Sequence, residues 1–216
     1  MNMKAYIFTT SILSMVLALP ALAGSAEWTI DSAHSDARFD VKHMMLSNVG
    51  GDFGKIEGKV NYDGKNLEKA SIDATIDATS INTRDAHRDE HLKSPDFFDT
   101  QKFPTITFKS KKIEPGSDGF KIIGELTMHG VTKPVTLDAE PLSPAIKDQK
   151  GTLHIGTRAT GKIDRKDFGI SFNKTMDNGG AVVGDKVGIT IDVELKQSKE
   201  TANSDDAAKK EATKKG

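Results

Sequence analysis

Apolar and polar positions alternate along most of this chain. From Ser71 to Ser80 the two kinds exchange at every step, with Ile72, Ala74, Ile76 and Ala78 in one phase. A period of two marks a strand with one dry and one wet face. The same rhythm returns from Asp36 to His43, where Phe39 and Val41 oppose Arg38, Asp40 and Lys42. It recurs over 55–62, 105–112, 120–128, 135–139, 153–163 and 187–195, and a short first strand is expected at Glu27–Asp31 around Trp28. Gly50, Gly51 and Gly54 predict a turn or bulge, and Asp63-Gly64 and Pro115-Gly116 predict turns.

One stretch breaks the period. Asn82 to Leu92 reads as a short polar helix, opening on Asn82 as N-cap with Asp85 three residues later and stopping before Pro95. The remainder is roughly eight or nine strands joined mostly by short turns, which cannot make parallel pairings. Strands in that number must close or leave bare edges. The expectation is therefore an all-β, closed antiparallel barrel with one short helix between strands. A two-sheet sandwich uses the same alternation and is the alternative.

Composition changes the picture at both ends. Lys4, the apolar run Ile12 to Leu19 and Ala21-Leu22-Ala23 have the form of a secretory signal peptide over 1–23, too short an apolar run to span a bilayer. The mature protein is then exported, with no integral membrane segment. The chain has no cysteine, so it has neither a lipidation site nor disulfides and depends on its core. The expected domain runs from 24 to 196. Gln197 to Gly216 has no large apolar residue and reads as a disordered polar tail. With Lys4 removed, 30 basic side chains fall to 29 against 31 acidic ones, which argues against nucleic acid and against attraction to an anionic surface.

The apolar phase interleaves large with very small residues: Ile56/Gly58/Val60, Ile72/Ala74/Ile76, Ile122/Gly124/Leu126 and Thr157/Ala159/Gly161. A barrel filled by its own side chains would carry large residues at nearly every inward position. Small ones leave room, and room lined by carbon suits an elongated apolar guest. The competing reading is that they only relieve crowding or mark bends.

Two features invite an enzyme reading. His87-Arg88-Asp89-Glu90-His91 has the H-x-x-E-H spacing that puts two imidazoles on one helical face with a carboxylate beside them. It lies on a short polar connection, however, not on the long buried helix of that zinc-site class. Asp31, His34 and Ser35 contain triad residue types, but neighbours on one strand cannot converge as a triad. Asp164 to Gly169 is a polar turn in which Arg165 is placed to meet acidic groups.

Several segments together resemble the YceI-like, polyisoprenoid-binding family of exported proteins. They are Asp31 to Ser35, Phe39 to Met45, Arg88 to Asp99, Gly124 to Val135 and Ile163 to Gly169, in order across Trp28 to Glu194. The resemblance implies an extended, lipocalin-like antiparallel β-barrel in the bacterial periplasm, whose bore holds a long isoprenoid chain, polyprenyl or quinone-like. It makes Arg84 to His91 a lid or mouth element, with Phe97 and Phe98 closing the lumen beneath it. Members are often dimeric, so a homodimer is a possible partner.

The expected ligand-lining residues are Phe39, Val41, Ile72, Ala74, Ile76, Ile122, Leu126, Ile155 and Ile189, with Arg84, Asp85 and Arg165 forming a polar rim near the guest's head. No catalytic residue, metal or cofactor is expected. The alternatives are a metal-dependent hydrolase using His87, Glu90 and His91, or an envelope module with a filled core.

Overall fold

Val183–Gln197, the longest strand, is the seam on which the molecule closes. The structure, a computed structural model, describes residues 26–177 and 179–198. The expected leader and all but the start of the expected tail lie outside those residues.

The strands in chain order are β1 (Ala26–Ile30), β2 (Asp36–His43), β3 (Ser47–Phe53), β4 (Ile56–Tyr62), β5 (Ser71–Asp77) and β6 (Ile81–Asn82). After helix α1 (Ala86–Lys93) come β7 (Thr105–Pro115), β8 (Phe120–Met128), β9 (Val131–Ala139), β10 (Ile146–Lys147), β11 (Leu153–Asp164) and β12 (Val183–Gln197). Eight of them form a closed antiparallel ring in the order β11, β9, β8, β7, β5, β4, β1, β12. The ring closes where β11 and β12 pair in unbroken register from His154↔Lys196 to Asp164↔Lys186. That pairing excludes the sandwich.

β12 is long enough to serve two partners on its other edge. Its C-terminal end pairs with β1 (Ile30↔Leu195) and its earlier part with β2 (Ile191↔Ala37, Val187↔Val41). β3 and β6 continue outward from β2, so one end of the barrel wall is extended.

Four local expectations are corrected. Gly50 and Gly51 are not a turn but lie within β3, where a Cβ on Gly51 would come within 2.5 Å of the Phe39 ring. The glycine makes room for a large side chain on the neighbouring strand. The strand expected to reach Ser80 ends at Asp77, whose carboxylate accepts the Thr79 N–H and opens a 3-10 turn over Ala78–Ser80. The N-cap of α1 is Asp85, not Asn82: its Oδ1 accepts the Arg88 N–H, while Asn82 Oδ1 accepts the Arg84 N–H one turn earlier. Lastly, Gln197 belongs to β12, buried and paired with Trp28, so the polar tail begins after it.

Among the described residues the interior holds three apolar clusters. One gathers Trp28, Ile56, Val60 and Leu195, and Trp28 Nε1 donates to the Tyr62 carbonyl at 3.2 Å. Another, around Phe53, Ile81, Phe97 and Phe168, packs beneath α1. The third, around Ile113, Phe120 and Leu137, lies inside β7 to β9.

Candidate functional site

Between these clusters runs a cavity of about 250 Å³ whose wall is almost entirely carbon. Strands from all around the ring contribute to it because every inward phase of an antiparallel barrel points at the same axis. Phe39, Val41, Ile72, Ala74, Ile76, Ile122, Leu126, Ile155 and Ile189 all line it. The elements positioning them are those whose period of two is read directly from the chain.

β7 supplies lining that the alternation alone conceals. Ile106 and Phe108 face inward in one phase, but a register shift between Ser110 and Lys112 reverses the phase and brings in Ile113. A β-bulge of this kind adds one residue to one strand and turns the next side chain to the opposite face. The adjacent lysines 111 and 112 are its only trace in the sequence.

The small residues behave in two ways. Ala74 and Ala159 line the cavity. The glycines do not leave vacant space: a Cβ on Gly58 would strike the wall at Ala74 and Ile30, one on Gly124 would strike Phe108, and one on Gly161 would stand 2.6 Å from Leu137 Cδ2. At these three positions the expectation of room is corrected. A glycine there lets a large neighbour lie across the strand, and the cavity is what remains between those neighbours.

One end is covered by α1 and the chain after it. Leu92, Phe97 and Phe98 line the cavity from this side. His91 makes edge-to-face contacts with Phe97 and Phe172, each with ring centroids 5.0 Å apart, and its Nε2 lies 3.0 Å from Asp96 Oδ2. Below, Arg88 donates to Thr83 Oγ1 at 2.7 Å, and Thr83 donates to Asp89. The polar face of α1 is thus tied to its own approach, and its apolar contacts point into the barrel.

The expected polar rim is not assembled. Arg84 and Asp85 are exposed and stand outside the lining. Asp85 works as the helix cap, and the Arg88 N–H holds its carboxyl below the ordinary value. Arg165 does line the cavity and is buried, but its guanidinium faces the protein. It donates to the carbonyls of Ile170, Phe172, Gly184 and Val183 and to Asp185 Oδ1, at 2.8 to 3.4 Å. Those bonds occupy all five of its N–H donors. Burial pushes the guanidinium pKa down, partly offset by Asp185 and Asp164.

His87, Glu90 and His91 do not gather. His87 is exposed, Glu90 pairs with Lys93 at 3.0 Å, and His91 pairs with Asp96. Among the described residues the one group with metal-ligand spacing is Asp31, His34 and Glu194. Asp31 and His34 meet because 31–35 is a turn, not a strand as expected, with the His34 N–H donating to the Asp31 carbonyl. The group is already engaged: Asp31 Oδ1 accepts the Ala33 N–H, and Glu194 Oε1 lies 2.8 Å from His154 Nδ1. Burial raises the Asp31 pKa, but His34, Ala33 and Lys196 together leave it lowered. No helix among the described residues is long and apolar enough to cross a membrane.

Comparison with known proteins agrees with this geometry. A profile for the YceI-like domain matches residues 28–195. The UPF0312 protein SA2479 of Staphylococcus aureus strain N315 is 38% identical over 160 residues, covering 74% of this chain and 91% of the relative. Among solved structures, a Campylobacter jejuni YceI protein is 35% identical, with TM-score 0.62 over 78% of this chain and 96% of its own. A polyisoprenoid binding domain from Saccharophagus degradans shares the fold at 15% identity, with TM-score 0.57 over 79% of this chain and 98% of its own.

Proposed function

We propose that this chain, which belongs to the YceI-like family, is a non-catalytic periplasmic carrier that holds one long apolar lipid of isoprenoid type in its barrel. The observation that carries this reading is the carbon-lined cavity, to which all nine apolar positions contribute. Each methylene of a guest removed from water there gains roughly 0.8 kcal/mol, so an extended hydrocarbon needs few polar contacts. A shared fold with a polyisoprenoid binding domain is consistent with such a guest.

The bonds of Arg165 refine the guest's chemistry. With its donors taken by backbone carbonyls, the buried cation is not free to pair with a diphosphate. A neutral head, an alcohol or a quinone, suits this cavity better than a charged one. The helix α1 and Phe97-Phe98 act as the cover through which the chain enters.

Native mass spectrometry after gentle purification tests the carrier directly. The expected result is a co-purified lipid, exchangeable for added polyprenyl alcohol, in protein without stoichiometric zinc. Protein that is consistently empty and ignores added isoprenoids would overturn the proposal. So would stoichiometric zinc lost on His91→Ala together with hydrolytic activity.

A further inference from the structure

The turn joining β2 to β3 exposes three consecutive large apolar side chains. Met44, Met45 and Leu46 are 39%, 67% and 83% exposed. Ile146, the other exposed large apolar residue among those described, stands singly on β10, which is ordinary for a surface. Three together at a hairpin tip are not.

The backbone makes the tip more unusual. Met44 and Met45 have φ of +52° and +61°, and the Leu46 N–H closes the turn on the His43 carbonyl at 3.0 Å. Positive φ at two successive turn positions calls for Gly, Asn or Asp. Here the chain accepts left-handed strain at two methionines and so keeps flexible, exposed apolar side chains at the apex.

The tip continues the cavity wall. Val41, two residues before His43, lines the cavity and pairs with Val187, and His43 pairs with the cavity-lining Val183. The Met44 N–H donates to the Val182 carbonyl at 2.8 Å, which joins the tip to the loop carrying Lys174. Lys42 is exposed next to the tip, and Lys174 and Asp177 are exposed on that loop.

We propose that Met44-Met45-Leu46 is a bilayer-docking tip, inserting between lipid head groups so that the adjoining end of the barrel meets the membrane during lipid exchange. This rests on the carrier reading and extends it to the step at which cargo leaves or enters a bilayer. Three side chains cannot supply the ~800 Å² per partner of a stable protein interface, which disfavours a second copy as the occupant. A shallow apolar insertion that releases readily needs no more than this. Because the chain has no positive net charge, insertion supplies the attraction, and Lys42 and Lys174 add a local preference for anionic head groups.

The test is flotation with phosphatidylcholine vesicles and with phosphatidylethanolamine/phosphatidylglycerol vesicles. It compares the purified protein with a Met44→Asn/Met45→Gly/Leu46→Ser variant carrying the same N-terminus. Asn and Gly suit the turn, so the variant is expected to fold at least as well. The expected result is co-flotation of the wild type, strongest on the anionic vesicles, and at least a ten-fold loss in the variant. Vesicle-to-vesicle transfer of solanesol should slow by a similar factor, while uptake of solanesol from detergent stays unchanged. Equal flotation of both proteins, or of neither, would overturn the docking tip. A wild-type dimer dissolved by the substitutions would also overturn it, by making the tip a self-association surface. Flotation that depends on the tip in a protein unable to take up solanesol would sink the carrier reading alone.

Discussion

Phe108 on β7 occupies the space that a side chain at Gly124 on β8 would need: a Cβ there would strike the Phe108 ring and stand 2.6 Å from the Lys109 carbonyl oxygen. Phe108 also lines the cavity. The glycine therefore sets where the aromatic ring lies, and the ring helps set the width of the bore.

Gly124→Leu should consequently overpack the wall. The expected loss is about 1–3 kcal/mol of stability, seen as an earlier urea midpoint with an unchanged slope. Ala74→Phe projects into the cavity instead. It should block solanesol uptake while shifting stability by about 1 kcal/mol or less. Equal destabilisation by both would mean that the bore is already full.

Arg165 fastens the segment on which the cover rests, since it bonds the Phe172 carbonyl while the Phe172 ring packs against His91. Arg165→Met takes that donor from the carbonyls of Ile170, Phe172 and Gly184, while Val183 keeps Asn173 Nδ2, and each buried group left unpaired costs about 1–3 kcal/mol. The expected outcome is a loss of at least about 3 kcal/mol in chemical denaturation, with faster hydrogen exchange across 170–172 and α1. A variant of unchanged stability that loses affinity only for charged isoprenoids would instead make Arg165 a head-group ligand.

Acid should loosen the outer face of the barrel before it affects the cavity. Asp192 receives Arg158, and Arg38 bonds it as well, so its carboxyl lies below the usual 3.8 despite some burial. Asp164 and Asp148 are lowered chiefly by the backbone N–H groups of Lys166 and Thr152. A depressed folded pKa means that the unfolded chain binds protons first as pH falls. The stability these groups contribute is complete above about pH 5 and disappears below 3.8 as each protonates in the folded state. Melting temperature against pH should be flat from 7 to 5 and fall steeply below 4, and Asp192→Asn should shallow that fall.

Relieving the hairpin strain should stabilise the fold. Met45→Gly removes a left-handed non-glycine residue, worth about 1–2 kcal/mol before the added unfolded-state freedom of glycine is subtracted. A gain of about 0.5–1 kcal/mol is expected, read as a rise of roughly 2–4 °C per kcal/mol. A lower melting temperature would mean that the exposed methionine packs against the loop beside it.

Much of this protein was legible in the chain because alternation is local. Each of Phe39, Ile72, Ile122 and Ile155 needs only its neighbours two residues away to reveal which face it occupies, and a ring of such strands aims those faces at one axis. The polar helix was legible as well, since Pro95 acts within a few positions of its end, although its cap is Asp85 and not the expected Asn82.

Other features needed distant partners. The pairing of β11 with β12, the shared edge by which β12 holds both β1 and β2, and the bulge that reverses β7 are choices among strands far apart in the chain. A glycine reads the same whether it leaves a gap or admits a neighbour's ring, and only the register across Gly124, Gly161 and Gly51 tells the two apart. Arg165 is a charged residue in a polar turn until the strands close and surround it with carbonyls. Which faces are dry was a property of the sequence; how the space among them is shared out is decided by long-range packing, where volume must be filled and every buried donor paired.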